Sequence, residues 1–209
     1  MEEFPISIGY RKRNRVSTIA VNALLVVLII IILLELTFFS RFKRFYVVGA
    51  SMSPTLLGAD NDSTSGGDYV YVDTYAVPER FDIVVIDVDN GKNIIKRVIA
   101  FGGETVDLVR GVLYIDGQQI SEPYVSSENN SPDLDYNTYG PVEVPEDYLF
   151  VLGDNRNVSI DSRDHYGMIA ADEVIGTVTE WSLELRWLIT PFSSFFDFTL
   201  PGLFSSCAN

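Results

Sequence analysis

DIVVIDVDNGKNIIKRVIAF, residues 82–101, is two apolar runs split by a turn. Residues 82–88 and 93–101 are dominated by Ile and Val, and the link between them carries Asp89-Asn90-Gly91 with Lys92. The stretch therefore reads as two buried strands joined by a hairpin. In the second run, period-two alternation sets Ile94, Lys96 and Val98 on one face and Ile95, Arg97 and Ile99 on the other. Each face carries one cation among aliphatics. An amine desolvated in that way loses its preference for the charged form, so Lys96 reads either as a neutral base or as a snorkelling edge-strand lysine.

The same texture continues on both sides. Residues 68–74, 105–110, 112–115, 148–152 and 174–185 are further candidate strands, rich in β-branched and aromatic residues. Gly102-Gly103 marks a turn, and Asp116-Gly117 is a two-residue hairpin signature between Tyr114-Ile115 and Gln118-Gln119-Ile120. Helix signals in this region are poor and there is no internal repeat. The predicted class is mostly β, an antiparallel sheet. Residues 121–146, with Pro132, Pro141 and Pro145, read as an irregular surface excursion, part of an insertion at about 116–146. Asp87-Val88-Asp89-Asn90-Gly91 opens like a calcium loop, but position twelve is Val98 rather than Glu, so it is assigned to the hairpin turn.

The N-terminal region differs. Between Ile19 and Phe39 only Asn22, Glu35 and Thr37 are polar, and at about 1.5 Å per helical residue such a run spans a bilayer's hydrocarbon layer. It is longer than the apolar core of a cleavable leader and is followed by Ser40-Arg41-Phe42-Lys43 rather than by small residues, so an uncleaved transmembrane helix over 18–40 is expected. Basic residues flank both ends and give a slight bias towards a cytoplasmic N-terminus at 1–17. The tail, 187–209, is rich in Phe and Leu but broken by Pro191, Asp197 and Pro201; it reads as a surface-lying or sheet-capping segment.

Composition narrows the function. The 209 residues allow one modest domain plus an appendage. The net charge is −14, and residues 45–209 alone carry 26 acidic against eight basic groups, which argues against a nucleic-acid partner. A single Cys207 rules out an intramolecular disulfide, and with one His165 neither a Cys-rich zinc site nor a multi-His centre is expected; no metal and no cofactor is called for.

Two further stretches bear chemistry. Gly49-Ala50-Ser51-Met52-Ser53-Pro54-Thr55-Leu56 sets small residues around a serine, with Pro54 stiffening the backbone: an exposed hydroxyl on a rigid turn, or a plain turn. Gly153-Asp154-Asn155-Arg156-Asn157-Val158-Ser159-Ile160-Asp161-Ser162-Arg163 follows an apolar strand and alternates charges and hydroxyls: a charge-assisted network that orients a base, or a solvated loop.

Taken in order, Ser51-Met52-Ser53-Pro54-Thr55-Leu56, Gly67-Asp68-Tyr69-Val70, Arg80-Phe81-Asp82-Ile83-Val84-Val85, Ile95-Lys96-Arg97-Val98-Ile99 and Gly153-Asp154-Asn155-Arg156 with Ser159, Asp161, Ser162 and Arg163 resemble the sequence boxes of bacterial type I signal peptidases. The resemblance covers about residues 46–180. It implies a membrane-bound serine endopeptidase that removes signal peptides from exported preproteins, with an extracytoplasmic β-rich peptidase domain at 41–186. It places the nucleophile on Ser51 and the general base on Lys96. A serine that hydrogen-bonds and orients the base falls on Ser159, with Asp154, Asp161 and Arg163 in the supporting network and Gly49, Met52 and Pro54 around the nucleophile. The partners it implies are preproteins leaving the secretion machinery and the lipid bilayer of a bacterial plasma membrane.

The chain departs from the family pattern in two places. Some members carry a serine two positions before the nucleophile; Gly49 stands here, which leaves the Ser51 N–H as the assured oxyanion donor. Asn157-Val158 replaces the more usual Asp-Asn before Ser159. The rival readings are a self-cleaving Ser/Lys repressor-type protease, a tethered extracellular binding module and an inactive homologue. The apolar helix and the lack of a helical DNA-binding region argue against the first, and the presence of both Ser51 and Lys96 argues against the last. His165 as the base, and sequons at Asn61, Asn129 and Asn157, are read as incidental.

Overall fold

The computed structural model describes residues 15–60, 66–88, 91–189 and 205–207. The elements are α1 (Arg15–Arg41), β1 (Phe42–Val47), β2 (Tyr69–Asp73), β3 (Ile83–Asp87), β4 (Asn93–Phe101), β5 (Thr105–Val109), β6 (Val112–Ile115), β7 (Gln118–Gln119), β8 (Tyr139–Glu143), β9 (Tyr148–Leu152), β10 (Ile169–Ala170), β11 (Val174–Val178), α2 (Glu180–Glu184) and β12 (Ser205–Cys207). The chain divides into two compact units, residues 1–40 and 41–209.

In the first unit α1 is a continuous helix. Its segment Thr18–Arg41 is long and apolar enough to cross a membrane, and none of its apolar window is buried, which sets it apart from the core helix of a soluble protein. Two hydroxyls near its end are satisfied inside the helix: Thr37 Oγ1 donates to the Leu34 carbonyl and Ser40 Oγ to the Thr37 carbonyl, both at 2.8 Å.

The second unit is mostly antiparallel β. An eight-stranded sheet has the order β10-β9-β4-β12-β1-β2-β11-β3, with β3 returning to pair with β4. The predicted 82–101 hairpin is that β3–β4 pair, in register from Ile83↔Arg97 to Asp87↔Asn93. β4 pairs with β3 over Asn93–Arg97, with β9 from Arg97 to Phe101, and with β12 at Asn93. A smaller sheet of order β7-β6-β5-β8 packs on the far half of β4. Ile94 and Val98 pack against Val84 and Val151, Ile95 against Met52 and Val85, and Ile99 against Val106 and Leu152. One strand thus joins three apolar clusters, and each fully buried aliphatic of this size stabilises the fold by roughly 1.5–3 kcal/mol.

Three expectations need correction. The run 174–185 is not one strand: β11 ends at Val178 and α2 begins at Glu180. Trp181 stacks near Tyr71, with centroids 5.1 Å apart, and Thr179 Oγ1 donates to the Tyr71 carbonyl, so tertiary packing overrides the β-branched local preference. The excursion is not wholly irregular, because Tyr139-Gly140-Pro141-Val142-Glu143 forms β8 against β5. Gly and Pro hid that strand, and Pro141 is tolerated because β8 lies at the edge of its sheet. Finally, Phe42–Val47 pairs with β2 as a full strand although Lys43 and Arg44 disguise it. Of the tail, residues 190–204 and 208–209 lie outside the described residues, while Ser205–Cys207 adds a parallel strand to β1.

Candidate active site

β1 ends at Val47, and the chain then turns sharply. Gly49 sits at φ +80°, in the left-handed region where a side chain is strained, and its N–H donates to the Ala59 carbonyl at 2.7 Å. Gly58 packs directly against it: a Cβ on Gly58 would lie 2.7 Å from the Gly49 nitrogen. The turn that follows carries Ser51 and Met52, both 1% exposed, while Pro54 faces solvent after a cis Ser53–Pro54 bond. Met52 and Leu56 anchor the turn in the apolar cluster that also holds Ile95.

Lys96 approaches from β4. It is fully buried, and its Nζ donates to Ser51 Oγ and to the Ile95 carbonyl, each at 3.0 Å. A hydroxyl and an amine 45 residues apart in sequence are therefore in direct hydrogen-bond contact. Among the described residues the Ser51 N–H donates to no partner, so it is available to an oxyanion formed beside the hydroxyl.

The polar loop after β9 closes over this pair. The Asn155 N–H donates to the Ser51 carbonyl at 2.9 Å, which ties the loop to the serine itself. Asp154 is fully buried and receives Arg97 in a two-point contact, Nε to Oδ1 at 2.8 Å and Nη2 to Oδ2 at 2.5 Å. Thr55 Oγ1 adds a hydrogen bond to the same carboxylate and so links it to the serine turn. On its outer face the Arg97 guanidinium lies 3.9 Å from the Tyr124 ring centroid. Tyr124 donates to Glu122, which also pairs with the fully buried Arg156. Burial, with the Glu122 charge and hydrogen bond, pushes the Tyr124 phenol well above its ordinary value.

Asp161 and Arg163 form a second two-point pair, Nε to Oδ1 and Nη2 to Oδ2 at 2.9 Å each, and Asp161 also accepts the Gly153 N–H at 3.0 Å. Ser159 is buried beside them. Its Oγ has no hydrogen-bond partner in geometric reach, although it lies near enough to Asp161 to help keep that carboxylate ionised. The expected hydrogen bond from Ser159 to the base is therefore not made here; the hydroxyl instead packs on Gly153. A Cβ at Gly153 would collide with Ser159 Oγ and lie 2.6 Å from the Ser51 carbonyl oxygen, so only glycine lets the loop approach the serine this closely.

Asn157, the departure from the family pattern, has a local reason. Its amide donates to the Glu128 carbonyl and accepts from the Ser131 N–H, both at 2.8 Å, a pair of bonds that a carboxylate cannot make. Asn129 on the same excursion donates to the Ser53 carbonyl at 3.0 Å. Both asparagine amides are thus committed inside the fold. His165 is exposed and its ring lies 4.2 Å, centroid to centroid, from that of Tyr166. Sequence reasoning missed Glu122, Asn155 and the Arg97–Asp154 partnership; only the position of Arg97 opposite Lys96 on the strand hinted at the last.

The Asp161 carboxylate is held below the ordinary carboxylate value. Burial alone raises it, but the hydrogen bonds and charge of Arg163 and the Gly153 N–H outweigh that penalty. A depressed folded pKa stabilises the fold fully above the unfolded carboxylate value of about 3.9, and the contribution is lost as pH falls through the lower folded value. Urea unfolding followed from pH 7 down to 3 should show Asp161→Asn losing less stability on acidification than the wild type. Equal losses would mean that the carboxylate contributes nothing to the acid limb.

The profile of the family described as signal peptidase, peptidase S26, matches residues 18–182. A signal peptidase I of Bacillus amyloliquefaciens is 39% identical over 141 residues, 65% of this chain and 71% of the relative. One from Bacillus licheniformis is 40% identical over 144 residues, 65% of this chain and 74% of the relative. Signal peptidase I U of Bacillus subtilis strain 168 is 32% identical over 180 residues, 82% of this chain and 90% of the relative. Among solved structures, a signal peptidase I from Enterococcus faecalis V583 aligns with a TM-score of 0.43 at 38% identity, over 50% of this chain and 98% of that one.

Proposed function

The chain belongs to the signal peptidase S26 family of serine endopeptidases, and on that premise we propose that it removes signal peptides from preproteins with Ser51 as nucleophile and Lys96 as general base. The observation that carries this reading is the 3.0 Å contact between Lys96 Nζ and Ser51 Oγ in a buried site.

The steps follow from the chemistry of the two groups. The neutral Lys96 amine takes the Ser51 proton as the oxygen attacks the carbonyl carbon of the scissile bond. The tetrahedral oxyanion is held by the Ser51 N–H. On collapse the C–N bond breaks, Lys96 returns its proton to the leaving amine, and the signal peptide remains as an ester on Ser51. Water then attacks the ester with Lys96 again accepting a proton, and the serine is restored. Arg97, Asp154, Asp161, Arg163 and Ser159 act through position, holding β4 and the 153–163 loop against the serine turn.

α1 serves as the membrane anchor, with the N-terminus cytoplasmic and residues 41–186 forming the extracytoplasmic peptidase domain. A tethered binding module is the weaker reading, since it leaves a fully buried lysine on a serine hydroxyl without a purpose.

The test is cleavage by the detergent-solubilised intact chain of a preprotein whose signal peptide ends in an A-x-A segment. The expected result is a single cut after the last alanine, absent when that alanine is replaced by Trp. No cut, or a cut that persists in Ser51→Ala, would sink the proposal.

A further inference from the structure

β12 occupies an unusual place. It pairs in parallel with β1 through Phe45↔Ser205, Tyr46↔Ser206 and Val47↔Cys207, and in parallel with β4 at Asn93↔Cys207. β1 leads into the serine turn and β4 carries Lys96. On β4 one edge of Asn93–Arg97 is taken by β3, and β9 reaches only as far as Arg97 on the other. The segment 205–207 thus fills a strand position whose two walls carry the nucleophile and the base. Its polarity matters as well. An extended peptide continued in this register runs along β4 towards Lys96, three residues beyond Asn93, so its residues arrive in the order in which those preceding a scissile bond must arrive.

The sequence of this segment matches the slot's proposed ligand. Ser206-Cys207-Ala208 places small residues at alternate positions, as in an A-x-A cleavage segment. Ahead of it, residues 192–204 mix Phe and Leu with Ser193, Ser194, Asp197, Thr199 and Pro201-Gly202.

We propose that Ser205–Cys207 is a built-in substrate mimic that occupies the strand position between β1 and β4 and competes with the preprotein's cleavage segment. This rests on the assignment of Ser51 and Lys96 as the reacting pair. Binding by strand addition draws its affinity from main-chain hydrogen bonds and its selectivity from alternate side chains, so a segment of the same chain with small alternate residues is a natural competitor. An enzyme whose slot is self-occupied nine-tenths of the time has its apparent substrate affinity weakened about tenfold.

Ser206→Pro tests this in the intact chain, because proline removes a ladder N–H at the middle of β12 while leaving the length and the rest of the chain unchanged. The expected result is a several-fold lower KM for an A-x-A preprotein with kcat unchanged, and restoration of the higher KM by a synthetic peptide of residues 203–209. Hydrogen exchange is measured in parallel on the Phe45–Val47 and Asn93–Ile95 amides, which should be protected in the wild type and faster in Ser206→Pro. Unchanged KM together with unchanged exchange would overturn the proposal. Faster exchange in a protein that cleaves no preprotein would support the docked tail and count against the peptidase assignment instead.

Discussion

Ser51→Ala and Lys96→Ala are each expected to lower kcat/KM for an A-x-A preprotein by on the order of 10⁴-fold or more, with the double variant scarcely worse than either alone. The reason is the single contact between them: the hydroxyl is a poor nucleophile without the amine, and the amine has no proton to take without the hydroxyl. Two residues that act as one unit do not contribute additively. Lys96→Met separates chemistry from packing, because it keeps an unbranched chain in the fully buried space and should leave the unfolding midpoint close to that of wild type while abolishing cleavage. Effects that multiply in the double variant, or activity retained in Lys96→Met, would mean that the proton goes elsewhere.

The second large effect is on stability. Asp154→Leu leaves the Arg97 guanidinium, whose side chain is 9% exposed, without its carboxylate. Removing one partner of such a buried pair costs about 3–5 kcal/mol, because the remaining charge is neither hydrated nor neutralised. Tyr124 does not compensate, since a ring face is a much weaker partner than a two-point carboxylate. Replacing both, as Arg97→Met with Asp154→Leu, should recover much of the loss. Urea unfolding of the intact chain in detergent reads both numbers. A loss under about 1 kcal/mol in Asp154→Leu would show that water reaches Arg97. Activity should fall in Asp154→Leu even where the protein stays folded, because Thr55 on the serine turn loses its acceptor.

Much of this architecture can be read from the sequence. The β3–β4 hairpin, with Lys96 and Arg97 on opposite faces, follows from period-two alternation and one turn, and the α1 run follows from hydrophobicity alone. The site residues Ser51 and Lys96 were legible as chemistry only once the ordered boxes around them were recognised; taken singly, a serine on a turn and a lysine in a strand are commonplace. What stayed hidden depends on long-range contacts. Asn155 works through its backbone, Glu122 reaches the site only because the excursion folds back onto Arg156, and Thr179 starts a helix because Trp181 meets Tyr71. The packing of Ser159 was hidden for a related reason: its position depends on the close approach of Gly153, which no local pattern encodes.

The strand order also governs when activity can first appear. β1–β2 brings the serine and β3–β4 brings the lysine, yet these two hairpins are joined through β11, and the loop that grips the Ser51 carbonyl is drawn from residues 153–163. A chain emerging from its N-terminus therefore possesses both reactive groups long before anything holds them together. Pairings between such distant segments form late and slowly. The frame that holds the two groups together thus includes residues as far along as Val178, and a chain cut before β11 is expected to lack it.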